Sequence, residues 1–399
     1  MPVQDRPKLP ASIWALGFVS LFMDISSEMI HALLPVFLVT VLGASTVTVG
    51  IVEGVGEAVA SISKLFSGWL SDRFRKRKLF TVIGYGLGAL SKPLFALAPS
   101  ASWILFARVS DRLGKGIRGA PRDALVGDLA PAGLRGAAYG LRQSLDTVGA
   151  FAGPLLAMAL MALSANDFRL VFWVAVVPGL IAVAILVAGV REPARSAVPD
   201  TPRAPIRRRE LATLGGLFWV VVTVGAVLTL ARFSEAFLIL RAEGQGLPLA
   251  LVPAVLIVMN LVYAASAYPM GALSDKVPRL VILAAGFVVL IVADIVLAIA
   301  PNPWVVMLGV GLWGLHMGMT QGLLAALIAD HAPAALRGTA FGLFHLVTGI
   351  ALLAASIIAG ALWAWLGPAA TFIGGAVFSA LGLAGALVLL RTQKPKPVC

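Results

Sequence analysis

The chain has 399 residues, of which 59% are hydrophobic and 13% are charged. A soluble domain is about half apolar and about a quarter charged, so this composition excludes an ordinary soluble protein. The net charge of +12 would suit a nucleic-acid partner, but the lysines and arginines lie mainly in alternate loops, which is the positive-inside pattern of a membrane protein. We therefore expect a lipid bilayer around the chain and no nucleic acid.

Apolar runs, each long enough to cross a bilayer, predict twelve transmembrane helices. The predicted fold is all-α, with one six-helix half at residues 1–190 and a second at 212–399. A cytoplasmic linker, rich in proline and arginine, is predicted at 191–211. The predicted helices are 12–41, 46–71, 79–98, 101–128, 136–163 and 168–190, then 212–240, 247–274, 280–299, 303–330, 338–365 and 368–391.

The basic loops and tails predict the orientation of the chain in the membrane. Basic residues occur in the N-terminal tail, between helices 2 and 3, in the linker and in the C-terminal tail, whereas Gly43 to Ser45 and Ala98 to Ala101 contain none. Both termini are therefore expected in the cytoplasm, with the chain spanning the cell (inner) membrane many times. The single cysteine, Cys399, excludes an intrachain disulfide.

An internal repeat is the most specific pattern in the sequence. The run Gly68-Trp69-Leu70-Ser71-Asp72-Arg73 at the end of helix 2 returns as Gly271-Ala272-Leu273-Ser274-Asp275-Lys276 at the end of helix 8. A second pair of matching runs begins at Asp128 and Asp330, with the same offset to within one residue. Each half holds an even number of helices, so the pattern predicts two parallel repeats.

These residues resemble the major facilitator superfamily. The run from Gly68 to Arg73, followed by basic residues, is similar to the loop signature of that family, and Arg108 lies where its helix 4 motif has an arginine. Gly149, Gly153 and Pro154 on helix 5 are similar to the motif of family members that are antiporters. The resemblance implies a twelve-helix transporter that works by alternating access.

Helix 4 carries most of the charge at membrane depth. Its ionisable residues fall on one face about 120° wide, which lipid would not tolerate: Arg108, Asp111, Arg112, Lys115, Arg118 and Arg122. The equivalent face of helix 10 is almost free of charge, so the fold does not require the stripe. We favour a role in substrate binding or coupling over a static ion-pair network, and expect Arg122 with Asp123 to be structural.

Two pairs of acids are candidates for proton coupling. Asp24 and Glu28 on helix 1, and Glu53 and Glu57 on helix 2, are each spaced by four residues. Like charges on one face repel, and burial disfavours ionisation further, so one member of each pair is expected to hold a proton near neutral pH. An equally open interpretation is that these acids neutralise the cations of helix 4 or Lys64.

The remaining candidates lie on helix 7 and at helix ends. Arg232 and Glu235 are close enough on a continuous helix to form a structural salt bridge, and they also qualify as cavity residues. The motif residues are expected to form a cytoplasmic latch and a flexible helix 5: Gly68, Asp72, Arg73, Gly271, Asp275, Lys276, Gly149, Gly153 and Pro154.

We therefore predict a secondary transporter, driven by the proton gradient without a cofactor, that exports a small anionic or zwitterionic organic compound or drug. Uptake of an organic anion is the alternative, and a non-transporting receptor or scaffold is a third possibility. A metal is not expected, because His31, His316 and His345 match no ligand spacing. No phosphate-binding loop or zinc-protease motif occurs in the sequence, so an enzyme is not expected. We expect a monomer.

Overall fold

A computed structural model describes residues 9–74, 76–131, 134–191, 215–274, 276–331 and 337–392. Within these ranges, each apolar run predicted to cross the membrane is helical. The helices are α1 (Ala11–His31), α2 (Thr46–Phe74), α3 (Arg77–Ala96), α4 (Ala101–Leu129), α5 (Arg135–Leu163), α6 (Phe168–Gly189), α7a (Gly216–Ala231), α7b (Ala236–Gly244), α8 (Ala254–Leu273), α9 (Arg279–Ile299), α10 (Pro303–His331), α11 (Arg337–Leu366) and α12 (Pro368–Thr392).

Two of the predicted helices are interrupted. Predicted helix 1 continues beyond α1 as a short helical segment, Leu34–Val36, and a π-helical segment, Phe37–Val41. Predicted helix 7 is two helices, α7a and α7b, because residues 232–235 are not helical. A 3₁₀ turn at Leu249–Leu251 precedes α8. The predicted linker lies almost entirely outside the described residues.

Ten stretches of the described residues are long and apolar enough to cross a bilayer. Neither α4 nor α10 is among them. In α4 the reason is the charged stripe, whose side chains lower the hydropathy of an otherwise apolar helix.

The helices form two compact units. The described residues within Met1–Leu33 and Val59–Ala204 form the first, and those within Leu34–Ala58 and Pro205–Cys399 form the second. In the first unit α3 packs on α4 and α6, and α1 packs on α5 and α6. In the second unit α9 packs on α10 and α12, and α7a packs on α11 and α12. The same pairing of equivalent helices in both units is the structural counterpart of the sequence repeat.

Arginine side chains cap the C-terminal ends of two equivalent helices, α3 and α9. Arg169 of α6 donates hydrogen bonds to the carbonyl oxygens of Ala96 and Ala98, at 2.7 and 2.9 Å, where α3 ends. Arg241 of α7b donates to the carbonyls of Leu297, Ala298 and Ala300, at 2.9 to 3.1 Å, where α9 ends. The last carbonyls of a helix have no partner within the helix, and a cation there also favours the helix dipole.

Candidate functional site

The charged stripe of α4 lies inside the first unit. Ser100 begins the helix, and its Oγ accepts a hydrogen bond from the Trp103 N–H at 3.4 Å, as an N-cap residue does. From there four charged side chains point inward and are at most 5% exposed: Arg108, Asp111, Arg112 and Arg118. Lys115, on the same face, is exposed. The stripe is therefore mostly buried.

Asp111 forms a buried ion pair with a residue that the sequence pattern did not single out. Lys92 of α3 approaches it with Nζ 2.6 Å from Oδ1, and both side chains are nearly inaccessible. Lys92 also donates to Ser27 Oγ of α1 at 3.0 Å, and Ser91 donates to Asp111 Oδ1 at 3.4 Å. Asp111 is thus bound by side chains of α3, and Lys92 links its own helix α3 to both α1 and α4.

Glycines allow α3 and α4 to approach closely at this point. A Cβ atom at Gly114 would lie 2.7 Å from the Gly84 carbonyl oxygen and 2.9 Å from the Gly88 nitrogen. A Cβ at Gly88 would lie 2.9 Å from Nη1 of Arg118, whose guanidinium carbon stands 4.7 Å from the centre of the Tyr85 ring. The absence of side chains at these positions makes the room in which Arg118 stacks on an aromatic face.

Arg122 belongs to a polar network at the inner end of the stripe. Its Nη1 donates to Ser20 Oγ and to the Tyr85 hydroxyl, each at 3.3 Å, and its Nε donates to Asp123 at 3.1 Å. Asp123 also lies 3.9 Å from Nε of Arg142, a residue of α5 that pairs with Asp146 at 2.5 Å. The predicted pairing of Arg122 with Asp123 is therefore present in the structure.

The acids of α1 rest directly on the glycines of α5. A Cβ at Gly149 would lie 3.0 Å from the Asp24 Cβ and 2.6 Å from the Leu21 carbonyl oxygen. A Cβ at Gly153 would lie 2.8 Å from the Glu28 Cβ and 2.9 Å from the Ile25 carbonyl oxygen. Both acids are half-buried. The two candidate sets, acids and glycines, thus form one contact, in which α5 supports the part of α1 that carries the carboxylates.

Glu28 has a further partner on its own helix. Its Oε2 lies 3.3 Å from Nδ1 of His31, one turn later. His31 is itself half-buried. The pair therefore places an imidazole ring within hydrogen-bond distance of one of the two α1 acids.

The other candidate charges belong to the second unit. Glu53 and Glu57 lie on the part of α2 that is counted there, with Glu53 2% exposed and Glu57 half-buried. Arg232 and Glu235 lie in the break between α7a and α7b. The helical spacing on which their salt bridge was predicted is therefore absent, because the backbone between them is not helical.

The predicted latch is described only in part. Gly68, Asp72 and Arg73 lie in the last turns of α2, but their surroundings fall outside the described part of the chain, as does Asp275 altogether. Gly271 is in α8 and Lys276 follows it, exposed. At the start of α3, Arg77 pairs with Asp128 of α4, and Lys78 donates to the Val187 carbonyl at 3.0 Å. The latch stays a prediction.

Sequence reasoning missed Lys92 and Asp294, two of the buried ionisable residues. Lys92 and Asp294 each stand in an otherwise apolar run, and both are at most 1% exposed. The signal was available, because a charge at membrane depth is costly unless it is paired or has a function. This signal was overlooked because Lys92 and Asp294 are each the single charge in an apolar run, whereas the charges of α4 recur along one helix face.

The first unit therefore contains a positively charged interior. In α3 and α4 the described lysines and arginines outnumber the aspartates, and Asp111 is occupied by Lys92. Such a surface attracts an anionic group, since Arg binds carboxylate and phosphate through two parallel hydrogen bonds. The half-buried acids of α1 lie in the same unit.

Comparisons with known proteins agree with this architecture. The family model described as Major Facilitator Superfamily matches residues 16–259 and 236–398. An uncharacterised MFS-type transporter of Methanocaldococcus jannaschii is 33% identical over 97% of this chain and 96% of its own. A multidrug resistance protein of Proteus mirabilis, MdtH, is 33% identical over 40% of this chain and 36% of its own. A solved structure of a bacterial homologue of the human lysosomal transporter Spinster has a TM-score of 0.77 and 17% identity, and covers 97% of this chain and 98% of that one.

Proposed function

Because the chain belongs to the Major Facilitator Superfamily, and is therefore a multi-pass membrane transporter and not an enzyme, we propose that it is a proton-coupled antiporter. It exports a small anionic or zwitterionic organic compound or drug by alternating access. The positively charged interior of the first unit carries this proposal. Arg108, Arg112 and Lys115 bind the negative group of the solute, beside the buried ion pair of Lys92 and Asp111.

The proton gradient supplies the energy in this proposal. A carboxylate whose neighbours change during transport can take a proton on one side of the membrane and release it on the other. Asp24 and Glu28, supported by Gly149 and Gly153, are well placed to do this beside a cationic binding surface. The chain works as a monomer in the cell (inner) membrane, with both termini in the cytoplasm.

Export is favoured over uptake by two observations. The Gly149 to Pro154 run on α5 is similar to the antiporter motif of the family, and one partial relative is named as a multidrug resistance protein. Uptake of an organic anion would use the same cations. Measurement of solute movement in vesicles of both orientations, under an imposed proton gradient, distinguishes the two directions.

Substitution of the stripe tests the binding site. A thermal-shift screen of organic anions, zwitterions and drugs against the purified protein first identifies a ligand. Arg112→Ala and Lys115→Ala should then each weaken binding of an anionic ligand about tenfold or more, because a hydrogen bond to a charged group contributes about 1.5–3 kcal/mol. Equilibrium binding of the labelled ligand in detergent measures the effect.

Lys78→Ala is the matched control, since Lys78 is also basic but contacts the end of α6. It should bind the ligand as the wild type does. Unchanged affinity in both Arg112→Ala and Lys115→Ala would make the stripe structural and contradict the proposed site.

A further inference from the structure

Asp294 is the one ionisable residue of α9 after the helix begins at Arg279. It is fully buried, at 0% exposed, within a segment apolar enough to span a membrane. Among the described residues neither of its carboxylate oxygens has a hydrogen-bond partner. Few buried polar groups in folded proteins lack a partner, and those that do require an explanation.

The surroundings of Asp294 are aromatic. A Cβ at Gly375 of α12 would lie 2.7 Å from Asp294 Oδ2, 3.0 Å from the Phe233 ring and 3.2 Å from the Ala231 carbonyl oxygen. Phe233 in turn has its ring centre 5.2 Å from that of Trp313 and 5.6 Å from those of Phe237 and Phe372. The carboxyl group is therefore enclosed by a glycine, a helix end and an aromatic cluster.

Other ionisable groups approach this region from the neighbouring helices, but each has a different described partner or position. On α10, His316 is hydrogen-bonded through Nδ1 to the Gly286 carbonyl at 2.9 Å, two turns before Asp294 along α9. On α7b, Arg241 is bonded to the carbonyls at the end of α9. Arg232 and Glu235 lie in the break of helix 7. No ion pair to Asp294 is formed by any of them in the described structure.

An ionised carboxylate in such a place costs several kcal/mol, and binding a proton removes that cost. A neutral acid without hydrogen bonds does not stabilise the fold better than an apolar side chain would. Its presence is therefore not explained by stability. The break between α7a and α7b adjoins it through Ala231 and Phe233, and discontinuous helices commonly form the ion sites of transporters.

We propose that Asp294 is a second proton-binding site, in which the acid is neutral in this conformation and releases its proton when the break of helix 7 moves. Movement of residues 232–235 exposes the carboxyl group to water or brings Arg232 to it, and either change stabilises the ionised form. The idea rests on the proposed proton coupling and adds a site in the second unit to the acids of α1.

Infrared spectroscopy tests protonation without any transport. The spectrum of the purified wild type minus that of Asp294→Asn at neutral pH should contain the carbonyl band of a neutral carboxylic acid. Bands of an ionised carboxylate in its place would overturn the proposal, whether or not the chain couples transport to protons. Gly375→Ala keeps Asp294 but places a methyl group 2.7 Å from its Oδ2. This variant should therefore shift the carbonyl band without removing it.

Proton counting tests coupling. In liposomes with a trapped pH dye, Asp294→Asn should move fewer protons per molecule of the identified substrate than the wild type does. Ser379→Ala, which also alters a buried polar group of the second unit without a described hydrogen-bond partner, should leave the ratio unchanged. An unchanged ratio in Asp294→Asn would overturn the proposal. If that variant does not fold, Asp294→Leu serves instead.

Discussion

At the scale of single residues, the paired and unpaired charges of the membrane interior have different consequences. Lys92 and Asp111 neutralise each other across α3 and α4, whereas Asp294 has no described hydrogen-bond partner. A buried ion pair is weak evidence of stability as a whole, but loss of one partner leaves an uncompensated charge. Loss of Lys92 should therefore leave the Asp111 carboxylate without its partner, whereas loss of the Asp294 carboxyl group breaks no described hydrogen bond.

The Lys92–Asp111 pair can be tested by removing its charges one at a time. Lys92→Met should destabilise the protein by about 3–5 kcal/mol, because the carboxylate of Asp111 stays buried without its partner. Lys92→Met combined with Asp111→Asn should recover part of that loss. The midpoint of thermal unfolding in detergent measures both variants.

Arg77→Met is the matched control, because Arg77 and Asp128 also join α3 to α4 but are partly exposed. An exposed pair contributes at most about 1 kcal/mol, so a small effect is expected. Equal losses in Lys92→Met and Arg77→Met would show that the buried pair has no special role.

At the scale of helices, the sequence predicted where helices occur better than it predicted whether each helix is continuous and which helices touch. The run from Arg279 to Ile299 forms a helix almost as predicted, because its apolar length is enough for a membrane span. The run from Ala101 to Leu129 is also helical almost as predicted, although its charged stripe makes it less apolar. The break of helix 7 was missed because no proline or glycine marks residues 232–235. The contact between the acids of α1 and the glycines of α5 depends on tertiary packing, which a single amino-acid sequence does not reveal.

Substitution of the α5 glycines tests that contact. Gly149→Ala and Gly153→Ala should each push α1 away from α5, because the new Cβ would meet main-chain atoms at 2.6 and 2.9 Å. Both variants should unfold at a lower temperature than the wild type. Gly140→Ala on the same helix meets nothing within 4 Å, and alanine favours a helix, so its unfolding temperature should not fall. Three identical unfolding curves would contradict the packing argument.

At the scale of the whole molecule, the residues that the two halves share indicate the fold, whereas the residues that differ between them indicate the candidate site. Equivalent helix pairs pack in both units, which explains why the repeated runs of sequence identified the fold. The charges of α4 have no counterpart on α10, where Trp313 and Met317 are buried at the corresponding positions. The sequence shows this difference but does not show which neighbouring helices the charged residues contact, so the candidate site could be predicted only as a set of residues and not as a geometry.

Proton coupling is a property of the whole transport cycle. In liposomes with an internal pH dye, Asp24→Asn with Glu28→Gln should reduce the number of protons moved per substrate molecule, since neither amide can exchange a proton. Glu53→Gln with Glu57→Gln tests the α2 acids separately. Asp128→Asn, an exposed acid at the end of α4, should behave as the wild type. Normal proton movement in both double variants would remove the carboxylates of α1 and α2 from the mechanism.

The arginines that close α3 and α9 also bear on the order of synthesis. Arg169 is made long after Ala96 and Ala98, so the ribosome completes α4 and α5 before the end of α3 receives its donor. In the second half the order is reversed, because Arg241 is already present when Leu297 to Ala300 emerge. Backbone carbonyls without partners are costly at the membrane. The end of α3 should therefore receive these hydrogen bonds only after α6 inserts, whereas the donor for the end of α9 is present as soon as that end is made.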